Sequence, residues 1–167
     1  MAIGPLRYPM REHGSGAGGH EPDRTVDVFR ISSEAELSAA LDIRREVFIE
    51  EQGVPEGLEL DGRDEEATHF LARRNGEPVG TARLRDYGDG VAKVERVAVR
   101  EPHRGEGWGE RLMTTVESRA REAGYERVRL AAQVPVVGFY ERLGYEVVGE
   151  EFEDAGIPHR SMVKSLR

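Results

Sequence analysis

The chain has 167 residues, 38% hydrophobic and 34% charged, with a net charge of −8 and no cysteine. That length suits one domain with its own core, and the missing cysteines exclude a disulfide framework, a thiolate metal site and a thiol nucleophile. No apolar run reaches the roughly 18 residues of a membrane span, and the acidic balance argues against general nucleic-acid binding, which wants a basic stripe.

Pro5, Arg7, Pro9, Arg11 and Glu12 interrupt any signal-peptide core, so a cytoplasmic protein is the simple expectation. Acidic residues number 32 against 24 basic ones, and Lys93 and Lys164 are the only lysines. An acidic surface attracts cationic substrates. The same bias is also the halophilic habit of proteins from salt-loaded cytoplasm, and the scattering of the acids favours that second reading.

Residues 1–25 are glycine-rich and without period, and read as a flexible leader. His13 and His20 lie there, with no spacing that suggests a metal site. The domain is expected over 26–167. Val26 to Ile31 alternates as a strand. Ser32 or Ser33 then caps a helix, with Glu36 completing a capping box after Ser33. Leu37, Ala40, Leu41, Arg44, Val47 and Phe48 keep helical spacing, and an acidic loop follows from Gly53 to Glu66. His69 to Arg73 and Val79 to Leu84 read as strands joined at Asn75-Gly76. A turn at Asp89-Gly90 leads into the strand Val91 to Val99.

Next comes Arg104-Gly105-Glu106-Gly107-Trp108-Gly109, then a helix with the apolar stripe Trp108, Leu112, Val116, Ala120 and Ala123, ended by Gly124. Val128 to Ala132 is a strand, and Val136 to Leu143 a short helix stopped by Gly144. Tyr145 to Glu150 and His159 to Leu166 close as an antiparallel pair. Elements in this order predict an α/β fold with a mixed sheet flanked by helices.

The strand–glycine turn–helix unit is the feature that points to function. Backbone N–H groups freed there, with the helix dipole, suit a phosphate or diphosphate. A Walker loop is excluded because Gly109 is followed by Glu110 and Arg111. A dinucleotide fingerprint fails because Glu110 stands where its third glycine belongs.

What fits is Arg/Gln-x-x-Gly-x-Gly/Ala at Arg104, Gly107 and Gly109, which resembles the pyrophosphate loop of the GNAT superfamily of acetyl-coenzyme A-dependent N-acyltransferases. Gly138 to Tyr145 resembles that family's "FYxxLGF" element. Arg45 to Gln52, Glu59 to Asp64 and Asp154 to His159 are similar to its ElaA/YjcF-type subgroup. The resemblance implies the GNAT fold, with a mixed, mostly antiparallel sheet. It also implies acetyl-coenzyme A as acyl donor, with no metal. Val97, Ala98, Val99, Arg104, Gly105, Glu106, Gly107, Trp108, Gly109, Phe139 and Tyr140 would line that ligand, and the backbone of Val97 and Val99 would hold the thioester oxygen.

Acetylating an amine requires its neutral form. A lysine-type amine is neutral in about one molecule per two thousand at pH 7, roughly 4–5 kcal/mol uphill, whereas an α-amine loses only about 1 kcal/mol. A base, a water relay or a partly neutral substrate must supply the difference. Strand alternation places Glu95, Val97 and Val99 on one face and Val94, Arg96 and Ala98 on the other. By resemblance Glu95 is the base candidate; the alternative is an ion pair with Arg83, Arg96 or Arg129. By resemblance Tyr140 would return a proton to the departing thiolate; the alternative is packing between helix and sheet. Tyr145 reads as core.

Glu50, Glu51, Glu59, Asp61 and Asp64 either hold the acceptor amine or solvate a loop. Glu59, Asp61, His69 and His159 are placed at the acceptor pocket by resemblance. The expected function is N-acetyl transfer to a small-molecule or peptide amine, without nucleic-acid or membrane partners, and family habit leaves a homodimer open. Two alternatives stand beside it. One is a non-catalytic coenzyme A-binding sensor. The other is an acyltransferase similar to acyl-homoserine-lactone synthases, suggested by Val47-Phe48 followed by Glu59 and Asp61.

Overall fold

The computed structural model describes residues 26–167; the expected leader, with His13 and His20, lies outside the described residues. Seven strands form one sheet: β1 (Val26–Arg30), β2 (Thr68–Arg74), β3 (Glu77–Gly88), β4 (Val91–Val99), β5 (Arg127–Gln133), β6 (Glu146–Asp154) and β7 (Ile157–Ser165). Their order is β1-β2-β3-β4-β5-β7-β6. Every neighbouring pair is antiparallel except β4–β5, which is parallel. The Asn75-Gly76 turn forms as the sequence predicts, with φ of 50° and 81° at its two residues.

Four helices flank the sheet: α1 (Glu34–Arg44), the single turn α2 (Glu56–Glu59) inside the expected loop, α3 (Trp108–Glu122) and α4 (Val137–Arg142). The capping box at α1 is shared between two serines. Ser33 Oγ accepts from the Glu36 N–H at 3.2 Å, while the Glu36 carboxylate accepts from the Ser32 N–H at 2.9 Å. The helical run then widens into a π-helical segment, Arg45–Glu51, in which Val47 and Phe48 are both buried. Among the described residues no helix is long and apolar enough to cross a membrane.

Each sheet face has its own core. On one face Phe70, Ala82, Val94, Val97, Val99 and Leu130 pack against Leu112, Met113 and Val116 of α3 and Tyr140 of α4. On the other, Leu71 and Ala98 pack against Ala40, Ile43, Val47 and Phe48. Membership of these cores corrects the alternation expected for β4. Arg96 has φ of 55°, and the β3–β4 register shifts between Thr81 and Arg83. This is a β-bulge, which adds one residue and re-aims the side chains around it. Val94 therefore joins Val97 and Val99 on the α3 face, and Glu95 points to the α1 face with Ala98.

The parallel β4–β5 pairing runs from Val91–Arg127 to Val94–Leu130 and stops. Both strands continue, to Val99 and Gln133. A wedge therefore opens in the middle of the sheet. β4 stays paired to β3 on its other side, out to Gly80–Val99.

α3 seats directly against Gly80 of β3. A Cβ there would stand 3.0 Å from Leu112 Cδ1 and 3.1 Å from the Ala98 carbonyl oxygen. Gly80→Val is expected to destabilise the fold by about 1–3 kcal/mol through overpacking. A urea denaturation midpoint equal to the wild type's would show that α3 does not seat on this strand.

Candidate active site

The glycine turn follows β4 after one 3-10 turn, Glu101–His103. Arg104 fixes it: Nε donates to the Val99 carbonyl oxygen at 2.8 Å, and Nη2 to Glu51 of the π-helical segment, also at 2.8 Å. Glu106 is tied back to Arg74 at 2.9 Å. Gly107 is the N-cap of α3 with φ of 86°, a conformation that favours glycine, and it offers no side-chain cap. The first α3 N–H directed into the helix is that of Arg111, donating to the Gly107 carbonyl at 3.2 Å. The N–H groups of Trp108, Gly109 and Glu110 thus open toward the turn, where the helix dipole adds partial positive charge. A cavity of about 570 Å³ borders the turn at Glu106, Gly107, Glu110 and Arg111.

Trp108, Val97 and Val99 turn their side chains into the α3 core, and Ala98 turns its own into the α1 core. Only their backbone is available to a ligand. The Arg100 N–H donates to the Val79 carbonyl at 2.9 Å. Strand alternation then directs the Val97 and Val99 N–H groups away from β3, into the wedge.

Tyr140 lies in the same core as Val97 and Val99 and is fully buried. Its ring packs edge-on against Phe139 at 5.0 Å and Tyr145 at 5.8 Å. Its hydroxyl has no hydrogen-bond partner among the described residues, and burial pushes its pKa up. Tyr145 is core as expected, and its hydroxyl donates to Glu117 at 3.2 Å.

The α1 face carries a charge network. Glu95 accepts from Arg83 at 2.5 Å and from Arg85 at 3.0 Å, and Lys93 lies 3.3 Å away. Burial raises its pKa, but the Arg85 hydrogen bonds and the Arg83 charge outweigh that and hold it far below the usual carboxylate range. The ion pair with Arg83 is thus the environment observed, while Arg96 turns instead to the Leu58 and Glu59 carbonyls.

Asp61 accepts from Arg83 at 2.7 Å and Asp64 from Arg44 at 2.7 Å. Glu59 accepts from Arg44 at 2.6 Å. Burial raises the Asp61 pKa too, and Arg83 brings it well below its ordinary value. These carboxylates fasten the α2 loop to α1, β3 and β4. Glu51 is engaged by Arg104, and Glu50 is exposed.

His69 Nε2 lies 2.8 Å from the Asp64 carbonyl oxygen, and burial lowers its pKa. His159 is fully buried on β7, opposite Gln133. Among the described residues no group of His, Asp and Glu could hold a metal ion.

Sequence reading did not single out Arg44, Arg85, Gln52 or Gln133. Arg83 and Arg85, two apart on β3 and therefore on one face of it, were the available signal for an ionic face. The amide pair Gln52–Gln133, at 3.0 and 3.4 Å, joins residues 81 apart and left no local trace.

Residues 30–166 match the family model of the acetyltransferase (GNAT) domain. YjcF of Bacillus subtilis, described as an uncharacterized N-acetyltransferase, is 41% identical over 133 residues, 79% of this chain and 94% of its own. ElaA of Escherichia coli is 35% identical over 139 residues, 80% of this chain and 90% of its own. Its crystal structure superposes with a TM-score of 0.75, covering 84% of this chain and 99% of ElaA. An acyl-CoA N-acyltransferase from Pseudomonas aeruginosa gives the same TM-score of 0.75 at 30% identity, covering 84% of this chain and 99% of its own.

The charge network has a direct consequence for stability. Glu95 and Asp61 have folded-state pKa values below their unfolded ones, so their contribution is complete above the ordinary carboxylate range of about 4. It is lost as pH falls from there through the lowered folded values. Arg83→Met, which removes the shortest partner of both Asp61 and Glu95 while leaving Arg85 and Lys93 on Glu95, is expected to cost about 3–5 kcal/mol at pH 7 and to flatten the acid dependence of stability. Denaturation curves at pH 7 and at pH values stepped downward from about 4 check both effects.

Proposed function

The chain belongs to the GNAT acetyltransferase family, and from that premise we infer that it transfers acetyl from acetyl-coenzyme A to a primary amine. The observation that carries this reading is the Tyr140 hydroxyl, buried without a partner in the same core as Val97 and Val99. An unsatisfied buried hydroxyl costs about 1–3 kcal/mol. A departing thiolate at that position accepts its proton and relieves the cost. The uncapped turn at Gly107 and the β4–β5 wedge support the same ligand, as does the name of the Pseudomonas aeruginosa acyltransferase.

Bound there, acetyl-coenzyme A supplies an activated thioester. The N–H groups of Gly105 to Gly109 hold the diphosphate. Val97 and Val99 N–H groups donate to the thioester oxygen and stabilise the charge it gains during attack. Arg104 acts on the ligand through the backbone it positions, since its guanidinium is spent on Val99 and Glu51. The acceptor is a small-molecule or peptide amine approaching from the α1 face, where Glu59 and Asp61 lie against Arg96 of β4. Glu95, held by three cations, serves in this arrangement as an anchor for β3 and the α2 loop.

That locked carboxylate also favours a second reading, a coenzyme A-binding domain without turnover. Thiol release from acetyl-coenzyme A against spermidine, glucosamine and a tripeptide α-amine decides between them. The protein itself adds no thiol background. Amine-dependent release is expected; tight binding with no release from any amine would select the sensor.

Two substitutions test the assignments. Gly107→Asp is expected to abolish acetyl-coenzyme A binding in calorimetry, because it strains a positive φ and sets an anion against the diphosphate. Retained affinity would remove the turn from the site. Tyr140→Phe is expected to lower kcat about 10²-fold or more while leaving ligand affinity and thermal stability intact. Wild-type kcat in that variant would reduce Tyr140 to packing.

A further inference from the structure

With Glu95 tied to Arg83, Arg85 and Lys93, the α1 face needs a different proton acceptor. His159 has the required chemistry. Its Nδ1 lies 2.6 Å from the Ile157 carbonyl oxygen. A carbonyl only accepts, so Nδ1 carries the hydrogen and Nε2 keeps its lone pair. Nε2 has no hydrogen-bond partner among the described residues, and the side chain is 0% exposed. A buried imidazole nitrogen left open in this way is costly unless something completes it.

Register puts that ring on the α1 face beside the end of β5, along the edge of β5 that faces away from β4. His159 stands directly opposite Gln133, at the end of β5 beyond the point where β5 leaves β4. Gln133 is held on the α1 face by Gln52, and Ile157, two residues before His159, packs with Ala98, Phe48 and Val54. Phe152 of β6 stacks on the imidazole at 5.9 Å and is itself 39% exposed. The ring thus lies one side chain below the surface. Its neighbours on β5 and β6, Gln133 and Phe152, do not titrate, and among the described residues the charged group acting on it is Asp154. Burial lowers its pKa and outweighs both Asp154 and the Ile157 carbonyl, which keeps the imidazole neutral at pH 7.

We propose that His159 Nε2 is the general base that takes the proton from the incoming amine, directly or through one water. The step rests on the acetyl-transfer reading above. The ammonium form of the acceptor gives one proton to Nε2, and its freed electron pair forms the C–N bond to the acetyl carbonyl carbon. The C–S bond breaks with its electrons on sulfur. Tyr140 protonates that sulfur and is re-protonated by the second proton leaving the new amide nitrogen. The proton on His159 passes to solvent, which restores the enzyme.

The test uses the full chain and the fastest acceptor among spermidine, glucosamine and a tripeptide α-amine. His159→Asn keeps a side-chain donor for the Ile157 carbonyl and removes the Nε2 lone pair. Expected is a fall of about 10²-fold or more in kcat/KM, with acetyl-coenzyme A affinity unchanged. Wild-type kcat/KM should rise with pH through a group titrating below the ordinary imidazole value of about 6.5, and His159→Asn should lose that limb. Long-range ¹H–¹⁵N spectra of the wild type, which need no variant to fold, should show Nδ1 protonated and Nε2 bare at pH 7. The reverse tautomer, or a variant with wild-type kcat/KM and an intact acid limb, would overturn this role while leaving acetyl transfer standing. A wild type that releases no thiol with any of the three amines overturns both.

Discussion

A strand that loses its neighbour in the middle of a sheet must satisfy its backbone elsewhere, and the rest of this structure follows from that condition. β4 and β5 are held together over four residue pairs and then part. β4 remains fixed because β3 pairs with its other edge. The N–H groups it presents to the wedge are therefore rigid, aimed and without a strand to accept them. Buried backbone donors seldom stay unpaired, which is why we propose the wedge as the ligand's place. The glycine turn extends the same logic. It follows β4 after a single 3-10 turn, is pinned to the Val99 carbonyl by Arg104, and offers the uncapped end of α3.

The bulge at Arg96 then separates two chemistries across the sheet. It brings Val94, Val97 and Val99 to the α3 face, which is almost wholly apolar, and turns Glu95 to the α1 face. There Arg44, Arg83, Arg85 and Arg96 meet Glu59, Asp61, Asp64 and Glu95. Buried ion pairs of this kind add little net stability over apolar packing, but losing one partner is costly. Their effect is positional: they clamp the short α2 turn and its loop onto β3 and β4. In the reaction we propose, a thioester on the α3 side and an amine from the α1 side meet through the wedge.

Signals within a few residues of one another were legible in the sequence. The glycine turn and the Asn75-Gly76 hairpin depend on local backbone rules and formed. The α3 stripe formed from Trp108 to Ala120, with Ala123 exposed beyond the helix, and the capping box formed with its return bond to Ser32 in place of Ser33. The alternation assigned to β4 failed at one residue, because a bulge needs no glycine or proline to announce it and Arg96 adopts positive φ within an ordinary strand pattern. The pitch change after Arg44 was equally silent. Glu95 was readable as a buried acid, and the arginines that quench it were on the page at Arg83 and Arg85. Their convergence with Asp61 and Asp64 is a product of tertiary packing. Tyr140 was found through the motif around it; its unpartnered hydroxyl is a property of the folded core alone.

The central claim is that the unpaired part of β4 and the adjoining turn form one ligand surface. Amide hydrogen exchange with and without saturating acetyl-coenzyme A measures it directly, residue by residue. The account predicts slowed exchange at Val97 and Val99 and across Gly105 to Gly109, with β1, β2 and the Asn75-Gly76 turn unchanged. Ligand binding that leaves those amides exchanging at their free rates would contradict it.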